Sequence, residues 1–330
     1  MISKNIFSLI FLIHIASFAQ SDKLYKYEKP LEGAFSQIDI FIKTGNNKIS
    51  GTLTLPKTEF NKLIIFVPGS GQDKRNNHFK LAEQLITDSI AVFRFDDRGV
   101  GKSTGNFTPG IGGLDDDLLS IYKYFKNDKS LSEKKIGILG HSLGGVITLN
   151  AIEKGLSPDF LVFLAVPAKG NGCFFEYQSS LSYYKSAFAV DSEHLNTSTK
   201  IISEINDIIA KNKAASTLSI VKAIQSYFSD KGIRKYNRMY ISEWYIDLAK
   251  RNFTESIKNI KVPLLWCFAE NDSKIETKLE LQALLELDNS SITTREFPGL
   301  NHYFYWGAGK SLYDMQEDVT IFISTWLKSI

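Results

Sequence analysis

Ser142 lies in Gly140-His141-Ser142-Leu143-Gly144-Gly145, after the apolar run Lys135-Ile136-Gly137-Ile138-Leu139 and before Val146-Ile147-Thr148-Leu149. A serine between closely spaced glycines, with a strand before it and a helix after it, is the context of a nucleophile elbow. The turn is so tight that the serine takes a strained backbone conformation, and side chains at the flanking glycines would collide with neighbouring backbone. A serine hydroxyl is a poor nucleophile at neutral pH and needs a base within hydrogen-bond reach. The chain has five histidines. His14 falls in the N-terminal apolar stretch, His141 adjoins the serine and cannot fold back onto it, His78 lies beyond the glycine loop, and His194 sits in a helical insert. His302 remains, in Pro298-Gly299-Leu300-Asn301-His302-Tyr303, a loop after the last predicted strand. Loops at the C-terminal ends of parallel strands are where such sheets gather their reactive groups.

The base needs a buried acid to orient it and to stabilise the imidazolium. Asp272 follows the apolar run Pro263–Phe268 in Ala269-Glu270-Asn271-Asp272 and completes the chain order Ser, Asp, His. Glu270 is the rival, two residues earlier, and a solvated loop carboxylate or a helix N-cap is the plain structural reading. The third requirement is a pair of N–H donors for a developing oxyanion. The N–H of Leu143, at the start of the helix, is one candidate. The other is the N–H of Ser70, in Pro68-Gly69-Ser70-Gly71 after the run ending at Val67.

The elements that must position these groups read as a strand–helix alternation. Gln37–Lys43 and Lys48–Leu55 are period-2 runs around Thr44-Gly45-Asn46-Asn47, a hairpin signal. Strands are predicted at Lys62–Val67 and Ile90–Phe95, both buried, and at Ile136–Leu139, Phe160–Val166, Val262–Phe268 and Ile292–Phe297. Helices are predicted at Phe79–Ile86, Leu114–Phe125, Leu143–Lys154, Thr277–Leu287 and Asp314–Lys328. This pattern predicts an α/β fold: a mostly parallel central sheet with helices on both faces and an antiparallel N-terminal hairpin at its edge. Residues 168–258 break the alternation. They read as helices near Phe175–Phe188, Thr199–Lys211, Ser216–Phe228 and Tyr236–Lys250, rich in aromatics, and so as an inserted cap. Most of those aromatics pack the cap onto the sheet on this reading, with two or three at most facing a pocket.

The chain has 330 residues, 43% of them hydrophobic and 23% charged, with a formal net charge of +3 and no basic block. That suits one large core and gives no sign of nucleic-acid or anionic-membrane binding. Lys4, the apolar run Ile6–Ala16 and the small residues Ser17 and Ala19 have the form of a signal peptide cleaved after Ala19. A soluble mature chain from residue 20 to 330, secreted or periplasmic and not inserted in a membrane, is the expectation; an uncleaved anchor is the competing one. The two cysteines, Cys173 and Cys267, read as free thiols rather than a disulfide, and no side-chain spacing suggests a metal site or a cofactor.

Several segments together resemble the α/β-hydrolase superfamily over nearly the whole mature length. They are Gly51-Thr52-Leu53-Thr54-Leu55-Pro56, Gly69-Ser70-Gly71, the run from Phe93 to Gly105 containing Asp96-Asp97-Arg98-Gly99, the Ser142 elbow and Leu300-Asn301-His302. The closest likeness is to secreted bacterial esterases grouped with the serine-aminopeptidase-like (S33-type) hydrolases. The resemblance implies a Ser142–His302–Asp272 triad and cleavage of small or medium acyl esters through an acyl-enzyme. It also implies that Asp96 and Arg98 shape the floor of the site, with a purely structural role as the alternative. A peptidase or thioesterase of the same fold is the alternative, and a non-catalytic exported binding protein a further one. The chain departs from the family pattern at Pro68, where a His is usual, and at Lys74, where an acid commonly precedes the Arg.

Overall fold

The computed structural model describes residues 35–181, 187–191, 193–194, 196–307 and 315–330. The signal-peptide reading of residues 1–19 and the cap aromatics Tyr183 and Tyr184 lie outside them. Strands β1 (Phe35–Thr44) and β2 (Asn47–Pro56) form the expected hairpin, with Thr44 opposite Asn47. The two-residue turn needs a positive φ at its first position, and Gly45 supplies it at 54°. The remaining strands are β3 (Lys62–Val67), β4 (Ala91–Phe95), β5 (Lys135–His141), β6 (Leu161–Leu164), β7 (Leu264–Ala269) and β8 (Ile292–Phe297).

One eight-stranded sheet runs in the order β1-β2-β4-β3-β5-β6-β7-β8. The first two pairings are antiparallel and all the others parallel. Every residue of β3, β6 and β7 is buried. Continuous apolar runs such as Leu63-Ile64-Ile65-Phe66-Val67 require this, because both faces are covered by helices. Those helices are α1 (Phe79–Thr87), α2 (Leu114–Asn127), α3 (Leu143–Glu153), α9 (Thr277–Leu285) and α10 (Glu317–Ser329). Strand order reverses at β3: the chain steps to β4 on one side, then returns to β5 on the other. Ligand sites of open parallel sheets form beyond the strands' carboxyl ends at such a switch point, and Ser142 follows the last residue of β5.

The insert between β6 and β7 is helical, as expected. Its elements are α4 (Cys173–Ser180), α5 (Ser198–Lys211), α6 (Thr217–Asp230), a 3-10 turn (Arg238–Ile241), α7 (Glu243–Lys250) and α8 (Thr254–Lys258). Its aromatics mainly pack against one another. Tyr240 and Tyr245 are wholly buried, Phe175 stacks on Tyr245 at 4.5 Å, and Phe228 on Tyr236 at 4.0 Å. One strand reading and one helix reading change at the cap junctions. Strand β6 is shorter than its apolar run because Ala165 turns out at φ 49°, and the predicted first cap helix ends at Ser180. Both cysteines are free thiols. Among the described residues, no helix is long and apolar enough to cross a membrane.

Asp96 and Arg98 tie loops together rather than flooring the site. Arg98 pairs with Asp117 at 2.7 Å, which buries the Asp117 side chain fully while Arg98 stays 20% exposed. Thr44 adds a hydrogen bond to the same carboxylate at 2.7 Å. The segment after β4 is thereby fixed to the first turn of α2 and to the hairpin. Arg98→Leu leaves a buried carboxylate without its cation, so it should lower stability by about 3–5 kcal/mol. Urea unfolding measures this, and combining it with Asp117→Leu should restore most of the loss. A single variant as stable as the wild type would show the pair to be unimportant.

Candidate active site

Strand β5 ends at His141, and the next residue, Ser142, adopts φ 53°, ψ −120°. This region is strained for any residue with a side chain. The strain persists because the surroundings fix it. Ser142 donates its N–H to Leu164 O at 2.8 Å, and its carbonyl accepts from Gly145 N at 3.0 Å. A Cβ at Gly140 would lie 2.7 Å from Gly145 Cα, and one at Gly144 would overlap the carbonyls of Val67 and Pro68. The flanking glycines are therefore needed for the close passage of α3 against β3 and β5. The Ser142 side chain does not cap the helix that it precedes. The N–H of Leu143 is the first of α3 and has no acceptor within the helix.

The loop after β3 runs beside this turn. A Cβ at Gly69 would sit 3.4 Å from Ser142 Cβ, so Gly69 passes directly over the serine, with Ser70 next and exposed. Arg75 anchors the far end of this loop. Its guanidinium pairs with Asp96 at 2.8 Å and reaches Thr52 Oγ1 at 3.2 Å, and its N–H donates to Asp96 at 2.9 Å. Burial raises the Asp96 carboxyl, but the hydrogen bonds from Arg75 and Lys102 outweigh this and hold it below the ordinary range.

Asp272 and His302 are brought together. His302 Nδ1 lies 2.7 Å from Asp272 Oδ2, with the two side chains 4% and 0% exposed. The other carboxylate oxygen accepts from the N–H groups of Lys274, at 2.6 Å, and Ile275, at 3.0 Å. A carboxylate accepts, so the imidazole proton belongs on Nδ1 and the Nε2 lone pair is left available. The rival Glu270 does something else: it is exposed and accepts from Gly299 N at 2.7 Å. Asn271 N also donates to Leu300 O at 2.9 Å. The loops after β7 and β8 are thus stitched together through their main chains. Among the described residues, no hydrogen bond joins Ser142 Oγ to His302; such bonds are often long until substrate tightens them.

Four further residues adjoin the site in positions that their sequence context did not assign: His141, His78, Tyr177 and Glu280. The His141 ring stands 5.1 Å from that of His302 and 4.9 Å from that of His78, and its Nε2 is 3.0 Å from His302 O. Burial, then the Arg94 charge, brings His78 down to about 4. From the cap, Tyr177 donates to Asp272 O at 2.8 Å. Glu280 on α9 accepts from Ala168 N at 2.7 Å and Lys169 N at 2.6 Å, pinning the start of the cap. Burial pushes its carboxyl up to about 7. Among the described residues, no group of three or more His, Cys, Asp or Glu side chains is placed to hold a metal ion.

Asp97 is buried behind the glycine loop, where it accepts from Asp73 N at 3.1 Å. Burial raises both carboxyls, and the Asp73 charge raises Asp97 further. A carboxyl raised on folding contributes most below its unfolded pKa, and that contribution is lost as pH climbs through the folded value. Asp97→Asn keeps the acceptor and removes the crowded charge. Its melting temperature relative to wild type should therefore rise between pH 5 and pH 8. A difference that is flat or falls with pH would refute the like-charge crowding.

The sheet and its covering helices have counterparts in known proteins. The family model for serine aminopeptidase, S33, matches residues 58–305, more than half of the chain. Among curated proteins, YfhR of Escherichia coli (strain K12) is 35% identical over 78 residues, 24% of this chain and 27% of that protein. Protein R595 of Acanthamoeba polyphaga mimivirus is 29% identical over 114 residues, 34% of this chain and 37% of that one. The matches thus span well under half of these relatives. Solved structures agree over far more of the fold. The Pyrococcus furiosus esterase Pf2001 superimposes with a TM-score of 0.57 at 17% identity, covering 89% of this chain and 91% of that one. Proline iminopeptidase of Mycobacterium smegmatis gives 0.57 at 15%, covering 88% and 98%. Est1E of Butyrivibrio proteoclasticus, with ferulic acid bound, gives 0.58 at 16%, again covering 88% and 98%. With its eight-stranded sheet and an extended match to the family model, the chain is an α/β-hydrolase and belongs to the serine aminopeptidase S33 family of hydrolases.

Proposed function

We propose that this protein is a secreted or periplasmic serine carboxylesterase that cleaves small or medium acyl esters through an acyl-enzyme on Ser142. The observation that carries the reading is the buried Asp272–His302 hydrogen bond in the same loop cluster as the strained Ser142 turn. In this scheme His302 Nε2 takes the Ser142 proton as Oγ attacks the ester carbonyl. The oxyanion is received by the N–H groups of Ser70 and Leu143. The tetrahedral adduct collapses, and the alcohol leaves with the proton from His302. Water, deprotonated by His302, then releases the acid and restores Ser142. Asp272 keeps the imidazole in the Nδ1–H tautomer and stabilises its cation. Export rests on the form of residues 1–19.

The choice of ester over peptide draws on the cap. An aminopeptidase needs a carboxylate to hold the substrate's amine. Glu176 bonds Asn206 at 3.0 Å, Asp191 bonds His194 at 2.8 Å, and Glu204 bonds Tyr227 at 2.5 Å. Glu193, Asp207 and Glu243 face solvent. Each cap carboxylate with a described partner is thus engaged within the cap. Esterases and a proline iminopeptidase share the fold about equally, so the fold itself does not favour either chemistry.

The wild type should hydrolyse nitrophenyl acetate and butyrate much faster than an aminoacyl nitroanilide, and a fluorophosphonate should label it. Ser142→Ala should abolish both turnover and labelling while keeping the wild-type melting temperature. Nitroanilide turnover that exceeds ester turnover would favour the peptidase, and labelling that persists in the variant would place the nucleophile elsewhere.

Asp272→Asn should lower kcat by about 10⁴-fold with KM little changed, because the amide favours the wrong imidazole tautomer. Glu270→Gln retains an acceptor for Gly299 and should lose less than about tenfold. If Glu270→Gln proved the more damaging change, the acid would be misassigned.

A further inference from the structure

His302 and Asp272 are held by more than the bond between them. Each has its main-chain carbonyl taken by a side chain from a distant element. His141 Nε2 meets His302 O at 3.0 Å across a buried gap, and Tyr177 Oη meets Asp272 O at 2.8 Å. A carbonyl oxygen only accepts, so His141 is the Nε2–H tautomer and the tyrosine hydroxyl is the donor. His141 is 2% exposed and His302 3%, so no water substitutes easily if the donor is lost.

We propose that His141 and Tyr177 are positioning residues for the acid–base pair: His141 fixes the backbone of His302 from the elbow, and Tyr177 fixes that of Asp272 from the cap. This rests on the reading that the pair serves Ser142 as general base and orienting acid. His141 is well built for the task. It directly precedes Ser142, its ring packs edge-on against His78 at 4.9 Å and Tyr303 at 5.6 Å, and it lies 5.1 Å from the His302 ring. A Cβ at Gly69 would lie 3.6 Å from its Nδ1. One rigid ring therefore touches the nucleophile's strand, the loop over the serine and the loop of the base. Burial first, then the neighbouring His78 and His302 charges, holds it well below the ordinary histidine range. It stays neutral, so its donor persists throughout the working pH range.

Tyr177 links the cap to the acid. Its neighbour Gln178 donates to Lys274 O at 2.9 Å, so two successive residues of α4 seat on the Asp272 loop. Glu280 holds the cap's entry segment from the first turn of α9, the helix that follows the Asp272 loop. Helix α4 is consequently part of the support of Asp272 as well as part of the cap.

The test uses the full chain with His141→Leu, His141→Gln and Tyr177→Phe. One readout is kcat and KM on nitrophenyl butyrate. The other is the low-field proton NMR signal of His302 Nδ1–H and its exchange with water, which needs no substrate. His141→Leu should lower kcat about 10–100-fold with KM little changed, the scale of an ångström-level misplacement. It should also speed the proton's exchange. His141→Gln, whose side-chain amide donates from a similar place, should recover most of both. Tyr177→Phe should lower kcat about tenfold and speed the exchange, without moving KM. The proposal is overturned if His141→Leu and Tyr177→Phe keep wild-type kcat and exchange, if glutamine is no better than leucine, or if the losses fall on KM alone. Should His141→Leu not fold, the glutamine and Tyr177 variants decide. If the wild type turned over no ester, the functional reading would fail, and the exchange rates would still decide the positioning roles.

Discussion

The hydrogen bond between buried Asp272 and buried His302, 2.7 Å long, is the constraint around which this molecule is arranged. A carboxylate taken out of water is costly unless each oxygen finds donors. Here one oxygen takes the N–H groups of Lys274 and Ile275, and the other takes the imidazole. Those donors come from loops that leave neighbouring parallel strands on the same edge, paired from Leu264–Ile292 to Ala269–Phe297. Parallel pairing is what makes the bond available. An antiparallel β7–β8 pair would send the two loops to opposite ends of the sheet. Glu270 and Asn271 then bind the backbone of the partner loop, so the stretch that supplies the acid also fixes the base.

Ser142 poses the opposite problem, because its backbone is unfavourable by itself. The sheet bears that strain near its centre. Strand β5 lies between β3 and β6, and its residues after Lys135 are all buried. Bonds to Leu164 and Gly145 hold the turn from both sides. The same rigidity benefits chemistry, since a hydroxyl fixed on a strand–helix turn needs no ordering when substrate arrives.

Much of this was legible in the sequence. β3 and β8 coincide with their predicted runs because a fully buried or evenly alternating segment has a sharp compositional edge. Ser142, Asp272 and His302 were legible because strand-end loops and chain order constrain the choice, and the structure joins the last two. Elimination of the other histidines singled out His302, which the structure places against Asp272. It gave no hint that His141 would touch His302 O, a contact spanning 161 residues of chain, nor that Tyr177 would reach Asp272 O across 95. Such contacts follow from how the cap and the sheet close on one another, and no local pattern encodes that. The roles of Asp96 and Arg98 stayed open in the sequence for a related reason. A charged residue near a strand end looks the same in sequence whether it lines a site or braces a loop.

That bracing accounts for the chain's departures from its family's glycine-loop pattern. The usual histidine is replaced by Pro68, which offers neither an imidazole nor a backbone N–H to donate. The loop does not depend on that residue. Its start is fixed by Val67, paired to Gly140 at the end of β5, and its end by Arg75, whose guanidinium spans Asp96, Ser50 and Thr52. Between these anchors Gly69 rests against Ser142 and the His141 ring. The space beyond the loop is occupied by His78, whose ring meets both Phe66 and His141. Imidazole packing in this region is therefore supplied from the turn before α1 rather than from the residue before Gly69. The backbone donors proposed at Ser70 and Leu143 rest on these anchors and on the elbow, and neither needs a side chain at position 68.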